Sequence, residues 1–272
     1  MAKRVESPSS INTFKQCKRK YFYQYVKKLP TSSNIHCVRG NIAHTTLENF
    51  FDVDVSQFNE TNYEEKLKGV MQTLLLHYWN QYKSKLDELD LKEDKKKFYF
   101  EETMMMLINW NNHFLNNLKN KMTEKNVSMQ EAFQLLTPVR EERYVSDNYS
   151  VQGFIDAVHH LDDQVHIVDY KTNSRFDMKS SIKLQLAIYS LLYFEKHGKT
   201  PDKVGICFLR QKTKMINVNE ELINLAKQEL ELIHAHTSIT EEKPDYPKTI
   251  TPLCRWSTGQ CDFYETCRPH DK

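Results

Sequence analysis

Residues 153–172 read GFIDAVHHLDDQVHIVDYKT. Two apolar runs flank a polar turn at Asp162–Asp163, and each carries one aspartate, Asp156 or Asp169, where a hydrophobe belongs. Folding the hairpin at that turn sets the two aspartates opposite each other, with Cβ atoms about 5 Å apart. Like charges so placed destabilise a sheet, and a bound cation offsets that cost. Period-two alternation puts Lys171 on the same face as Asp169. A strand pair of this kind must border a polar pocket suited to a divalent cation. Two carboxylates can hold Mg²⁺, the cation polarises a phosphoryl group, and an ammonium offsets the charge that develops there. The residues therefore point to attack on a phosphodiester.

The remaining 252 positions must supply a scaffold for that hairpin, and composition limits what it is. Of 272 residues, 39% are hydrophobic and 27% charged, which fits a globular chain. A net charge of +2 gives no global basic field, so any nucleic-acid affinity must come from local patches. The first residues, MAKRVESPSS, lack the apolar segment of a secretory leader, and no run approaches the ~18 apolar residues of a membrane span. The expectation is an intracellular protein with no membrane partner. Its six cysteines are then thiols or metal ligands rather than disulfides.

Periodicity divides the chain. Helical spacing covers Ser9–Leu29, a segment opening at Gly40, Tyr63–Leu91, Asp94–Lys121 and Met129–Leu136. After Pro138 the pattern alternates, predicting strands at Val139–Val145, Tyr149–His159 and Val165–Tyr170. An amphipathic helix follows at Lys179–His197, then strands at Val204–Arg210 and Met215–Val218, and a helix at Glu220–His236. The proline-bearing stretch 237–253 reads as a connector to a cysteine-bearing tail. The order predicts the α/β (α+β) class: one domain over 1–272, with a mixed central sheet flanked by helices. Within it, 1–137 is a mainly helical N-terminal region, 138–236 the core and 237–272 the connector and tail.

The G-x-x-D of Gly153–Asp156, followed by a turn and a strand ending Asp169-Tyr-Lys171-Thr, resembles the PD-(D/E)xK nuclease superfamily, specifically its RecB-type branch. The resemblance implies a restriction-endonuclease-like fold and a deoxyribonuclease using Mg²⁺ or Mn²⁺, with Asp156, Asp169 and Lys171 catalytic. It also implies roles for Gln185 and Tyr189, which share a helix face one turn apart. His44, in Gly40-x-x-x-His44, matches the branch's upstream histidine and is implied as a metal ligand beside Asp156 and Asp169. An additional acid just before the hairpin falls on Glu141 or Glu142. Alternation sends the two to opposite faces and does not choose, and Glu142 is the candidate carried forward.

Cys17, in CKRKYFYQYVKKLP, together with Cys254, Cys261 and Cys267 in the tail, is similar to the one-early, three-late cysteine pattern of AddB-type and CRISPR-associated iron–sulfur nucleases. That resemblance implies a [4Fe–4S] cluster tying the chain ends together. The tail departs from the pattern in the six-residue gap between Cys254 and Cys261, and a Cys₄ Zn²⁺ site is the alternative. Cys37 and Cys207 read as small buried residues.

Candidate contacts to nucleic acid are Arg19, Lys20, Tyr189 and Arg210, while Lys92, Lys95, Lys96 and Lys97 read as a solvated face. The substrate expected is DNA, single-stranded or with free ends. An exonuclease of repair, recombination or replication, with a possible helicase partner, is the leading reading. A CRISPR-adaptation nuclease that trims DNA before integration, and a non-catalytic DNA clamp of the same fold, are the alternatives.

Overall fold

Strands that read HIVDY and VGICF have no polar face, so both of their faces must be covered. In the computed structural model, which describes residues 3–173, 176–256 and 259–269, they are covered. The sheet runs β1-β2-β3-β4-β5, comprising Val139–Ser146, Val151–Leu161, Gln164–Lys171, Lys203–Phe208 and Thr213–Asn217. Its pairs are antiparallel except β3 with β4, which are parallel and joined through helix α8 (Ser180–His197).

One face packs under α1 (Pro8–Gln16), α2 (Lys18–Tyr21), α8 and α9 (Glu220–Thr237). Val165, Ile167, Val204 and Ile206 point into that layer. The other face packs under α3 (Ile35–Phe50), α4 (Tyr63–Gln81), α5 (Lys83–Asp87), α6 (Glu93–Lys125) and α7 (Met129–Leu136). Val168, Tyr170 and Cys207 point there, among Phe50, Trp110 and Phe114. The class and the mixed, helix-flanked sheet thus follow the sequence expectation. Among the described residues, no helix is long and apolar enough to cross a membrane.

Several boundaries differ for local reasons. The helix expected over Ser9–Leu29 starts earlier, where Ser7 and Ser10 cap each other's backbone amides. It then breaks at Cys17, whose backbone is extended, before α2 and a π-helical turn at Phe22–Val26. Gly40 does not open α3. Asn34 does, its side chain accepting the amides of His36 and Cys37. The expected Tyr63–Leu91 helix is interrupted at Tyr82, and α6 extends through Lys125 to a left-handed Asn126. The tail carries a two-residue hairpin, β6 (Arg255–Trp256) with β7 (Gly259–Gln260), and a short α10 (Tyr264–Cys267), none of which was expected.

Candidate active site

The hairpin folds in the register that its sequence predicts, with Ala157 opposite Val168 and Leu161 opposite Gln164. The ladder stops at Ala157, one residue short of the expected Asp156–Asp169 pair. There the Asp156 carboxylate enters the gap, and its Oδ2 accepts the Tyr170 amide at 2.7 Å. The same point disturbs the neighbouring pair. Arg140 pairs with Ala157 and Glu142 with Ile155, but Glu141, between them, has φ 47° and is left out. The pleat reverses across this spot, because Ile155 and Val158 both pack toward α8, which strict alternation forbids. A left-handed glutamate is strained, and such strain clusters at functional sites.

The interruption gathers donors. His44 projects from α3, and its Nε2 donates to the Tyr170 carbonyl at 2.9 Å. That bond leaves Nδ1 facing Asp156 Oδ2 at 3.4 Å and Glu141 Oε1 at 3.9 Å. One ligand atom from each of His44, Glu141 and Asp156 lies within 4.8 Å of the others, the only such group among the described residues. Burial disfavours a charged His44, but the bonds to Asp156 and Glu141 outweigh it and raise its pKa to about 10. Without a cation the imidazole therefore carries the positive charge that the acids demand. The donor set, one imidazole nitrogen and carboxylate oxygens, fits Mg²⁺ or Mn²⁺.

Asp169 lies beside this group, on the α8 side of β3. It is 1% exposed. Its Oδ1 accepts from Gln185 Nε2 at 2.8 Å, and the same amide donates to Tyr189 Oη at 2.9 Å. Lys171 Nζ pairs with Oδ2 at 2.8 Å. A carboxylate oxygen carries two lone pairs, so this pair leaves Oδ2 one to offer. Burial raises the Asp169 carboxyl to about 6, against the lowering pull of Lys171. Gly153 allows this assembly, because a Cβ there would lie 3.1 Å from the Tyr189 ring and 3.2 Å from Leu192. The bare backbone lets α8 sit close to β2 here; any side chain would push the Tyr189 ring, and with it Gln185, by a few tenths of an ångström.

Other candidates fall elsewhere. Glu142 points away from the group and pairs with Lys196, so the acid beside His44 is Glu141. Alternation alone could not find it, since its position depends on the reversed pleat. Tyr189 is buried, which removes it as a direct DNA contact and leaves it buttressing Gln185. Arg19 Nε donates to the Tyr246 carbonyl, and Lys20 lines the cysteine pocket, so both lie beside the chain ends and away from the acid group. Arg210 forms a two-pronged pair with Glu102 at 2.8 and 3.0 Å.

Comparison with known proteins decides the family. The model of the PD-(D/E)XK nuclease superfamily matches residues 6–268. The chain belongs to this superfamily. Over 122 residues it is 30% identical to the CRISPR-associated exonuclease Cas4 of Francisella tularensis subsp. novicida. That match takes in 45% of this chain and 58% of the relative, so it spans little more than half of the relative's length. The crystal structure of a candidate exonuclease from Eubacterium rectale superposes with a TM-score of 0.51 at 10% identity, over 99% of this chain and 89% of that one. At that identity the likeness speaks for the fold.

This PD-(D/E)XK chain has a second polar centre. Cys17, Cys254, Cys261 and Cys267 line one pocket with Tyr23, Phe263 and Lys248. The extended backbone at Cys17 separates α1 from α2, and Cys17 lines the pocket together with residues of the tail. Cys261 donates its amide to the Cys254 carbonyl, and Cys267 to that of Phe263. Burial raises the Cys261 and Cys267 thiols. Cys207 is buried as expected, whereas Cys37 is exposed.

Proposed function

We propose that the chain is a metal-dependent deoxyribonuclease that hydrolyses DNA from free ends. The observation that carries this reading is the meeting of His44, Glu141 and Asp156 with the Asp169–Lys171–Gln185 group at one break in the sheet. A clamp that only held DNA would have no use for buried, mutually repelling acids. His44, Glu141, Asp156 and the Asp169 Oδ2 that Lys171 also meets would hold Mg²⁺ or Mn²⁺. Bound there, the cation would lend Lewis-acid charge to the phosphodiester.

The chain's own groups do the rest. Lys171, 30% exposed on its side chain, reaches from Asp169 toward solvent and offsets charge building on the phosphoryl oxygens. Gln185 fixes Asp169, and Tyr189 fixes Gln185. The Tyr170 amide and carbonyl fix Asp156 and His44 from one peptide segment. The decisive test is hydrolysis of end-labelled single- and double-stranded DNA with Mg²⁺ and with Mn²⁺. The wild-type chain is expected to shorten DNA from its ends, and Asp169→Ala to leave it intact. Wild-type protein inert with both metals rejects the enzyme reading.

For the cysteine pocket we infer a [4Fe–4S] cluster, with a Cys₄ zinc site as the alternative. What supports it is that Cys17, from the start of the chain, and the three tail cysteines line one pocket, a four-thiolate set in which each iron of such a cluster takes one thiolate. Lys20 and Lys248 would offset its negative charge. Anaerobically purified protein is expected to show iron, sulfide and broad visible absorbance. Colourless protein with stoichiometric zinc decides for the alternative.

The relative's description as a CRISPR-associated exonuclease favours one pathway, trimming of DNA before integration. Repair, recombination or replication, with a helicase partner, is the competing setting. Processing of DNA ends in the presence and absence of an integrase partner separates the two.

A further inference from the structure

Helix α3 carries a second polar feature two turns before His44. His36, Gly40 and His44 fall on one face at helical spacing, so His36 lies about 12 Å from His44 along the axis. Gly40 keeps the face between them low, the nearest atom to its would-be Cβ being Thr172 Oγ1 at 3.8 Å. Thr172 follows Lys171 directly. Beyond it opens a pocket of about 440 Å³ lined by His36, Arg39, Phe98, Tyr99, Glu102 and Arg210.

The chemistry of this pocket is specific. Arg39 and Arg210 both pair with Glu102, so two guanidinium groups share one carboxylate. One positive charge is left over. Arg39 is 4% exposed and its Nε has no hydrogen-bond partner. Its guanidinium lies 5.2 Å from the Tyr99 ring, and His36 meets the same ring edge-on at 5.7 Å. Burial and then Arg39 lower the His36 pKa, so that ring is neutral. Phe98 is 49% exposed at the mouth, with Lys95 Nζ 5.9 Å from its ring. Excess positive charge beside flat rings, one of them uncovered, matches an anion joined to a planar base.

We propose that this pocket seats one unpaired nucleotide of the DNA strand, a few nucleotides from the bond that is cut, with the uncovered Phe98 ring against its base, Arg210 near its phosphate and the buried Arg39 adding charge from behind. The proposal rests on the deoxyribonuclease reading and adds a substrate class, a strand that is single at that position. Phe98 meets Tyr99 edge-on, with ring centroids 5.3 Å apart, so a base would lie against the uncovered Phe98 ring, and a paired base cannot do so without being unstacked.

The test uses single-stranded oligonucleotides carrying one abasic site at successive positions, assayed for KM and kcat with Mg²⁺. One position near the cleaved bond is expected to raise KM about 5- to 100-fold in wild-type protein. Phe98→Ala, at a half-exposed residue whose loss leaves the fold intact, is expected to raise KM similarly and leave kcat within about threefold. Combining the two should cost little more than either alone, since both delete one contact. Full additivity at every position overturns the pocket. Anisotropy of the same oligonucleotides without added metal reads binding independently. If wild-type protein cuts nothing yet the non-additive pair persists in binding, the pocket stands and the nuclease reading falls.

Discussion

The acid group and the cysteine pocket are both built from residues far apart in sequence, but they are held by different things. The acids sit on a five-stranded sheet between two helical layers, and each has a partner. Tyr170 holds Asp156 and His44, while Gln185 and Lys171 hold Asp169. The cysteines sit on a helix break, turns, a two-residue hairpin and a four-residue helix. Nothing there approaches the sheet's density of backbone pairing. The acid site is shaped before any cation arrives, whereas the cysteine pocket, on the proposed reading, would depend on a bound cluster for its shape.

The largest effect should come from the second region. Cys267→Ser is expected to lower stability by about 4 kcal/mol or more, the scale of losing a structural metal site. It should also bleach the protein and speed proteolysis within 237–269. Denaturant unfolding and limited digestion measure this. A variant that keeps its colour and its unfolding midpoint would break the comparison.

The first region should respond in the opposite way, losing activity and keeping its fold. Lys171→Met is expected to cut the rate of hydrolysis about 10²- to 10³-fold, as removal of one preorganised charge does elsewhere. Asp169→Asn should cost as much activity. It should not lower the melting temperature of metal-free protein, because burial already disfavours that carboxylate. If Asp169→Asn unfolds the chain, the acid is a structural residue and the two regions are alike.

How much of this was legible in the sequence follows from the same contrast. The hairpin register obeys local rules of period and spacing, so the residues alone revealed it, whereas the pairing of Gln185 with Tyr189 and the grouping of the four cysteines came from the family resemblance. The ladder's end at Ala157 and the positive φ at Glu141 are tertiary outcomes. They arise where α3 and α8 press His44 and Gln185 onto the sheet, and no local pattern encodes that meeting. The break at Cys17 was hidden for the same reason. Its flanking aromatics keep helical spacing, while the chain there bonds to the distant Pro247 carbonyl through Arg19.

Titration offers a finer test. His44 has a folded pKa raised from 6.5 to about 10, so its stabilisation is complete below pH 6.5 and is lost as pH rises through about 10. Asp169 is also raised, from 3.8 to about 6, which for an acid means stability lost as pH rises from 3.8 through about 6. Metal-free protein should therefore weaken across that interval. Added Mn²⁺ must displace the His44 proton and meet ionised Asp169, so its thermal shift should grow with pH and fade below about pH 6. Calorimetry across that range checks the sign. A shift that is constant with pH would detach both residues from the cation.

The smallest effect should fall on Glu142, one residue from the largest local disturbance in the sheet. Its carboxylate pairs with Lys196 on the exposed side of β1, and that pair lowers its pKa. Exposed pairs of this kind contribute about 0–1 kcal/mol. Glu142→Gln is therefore expected to leave DNA hydrolysis within about twofold and to shift stability by less than about 1 kcal/mol. Glu141→Gln, by contrast, removes a carboxylate 3.9 Å from His44 Nδ1 and should weaken Mn²⁺ binding about 10-fold or more. The two glutamates have the same chemistry and adjacent positions, so only backbone conformation separates them. Equal losses from both substitutions would mean that β1 keeps its regular pleat in solution, with neither carboxylate singled out. Unequal losses in the stated order would tie the reversed pleat at Glu141 to function, by a measurement that the sequence alone gives no reason to make.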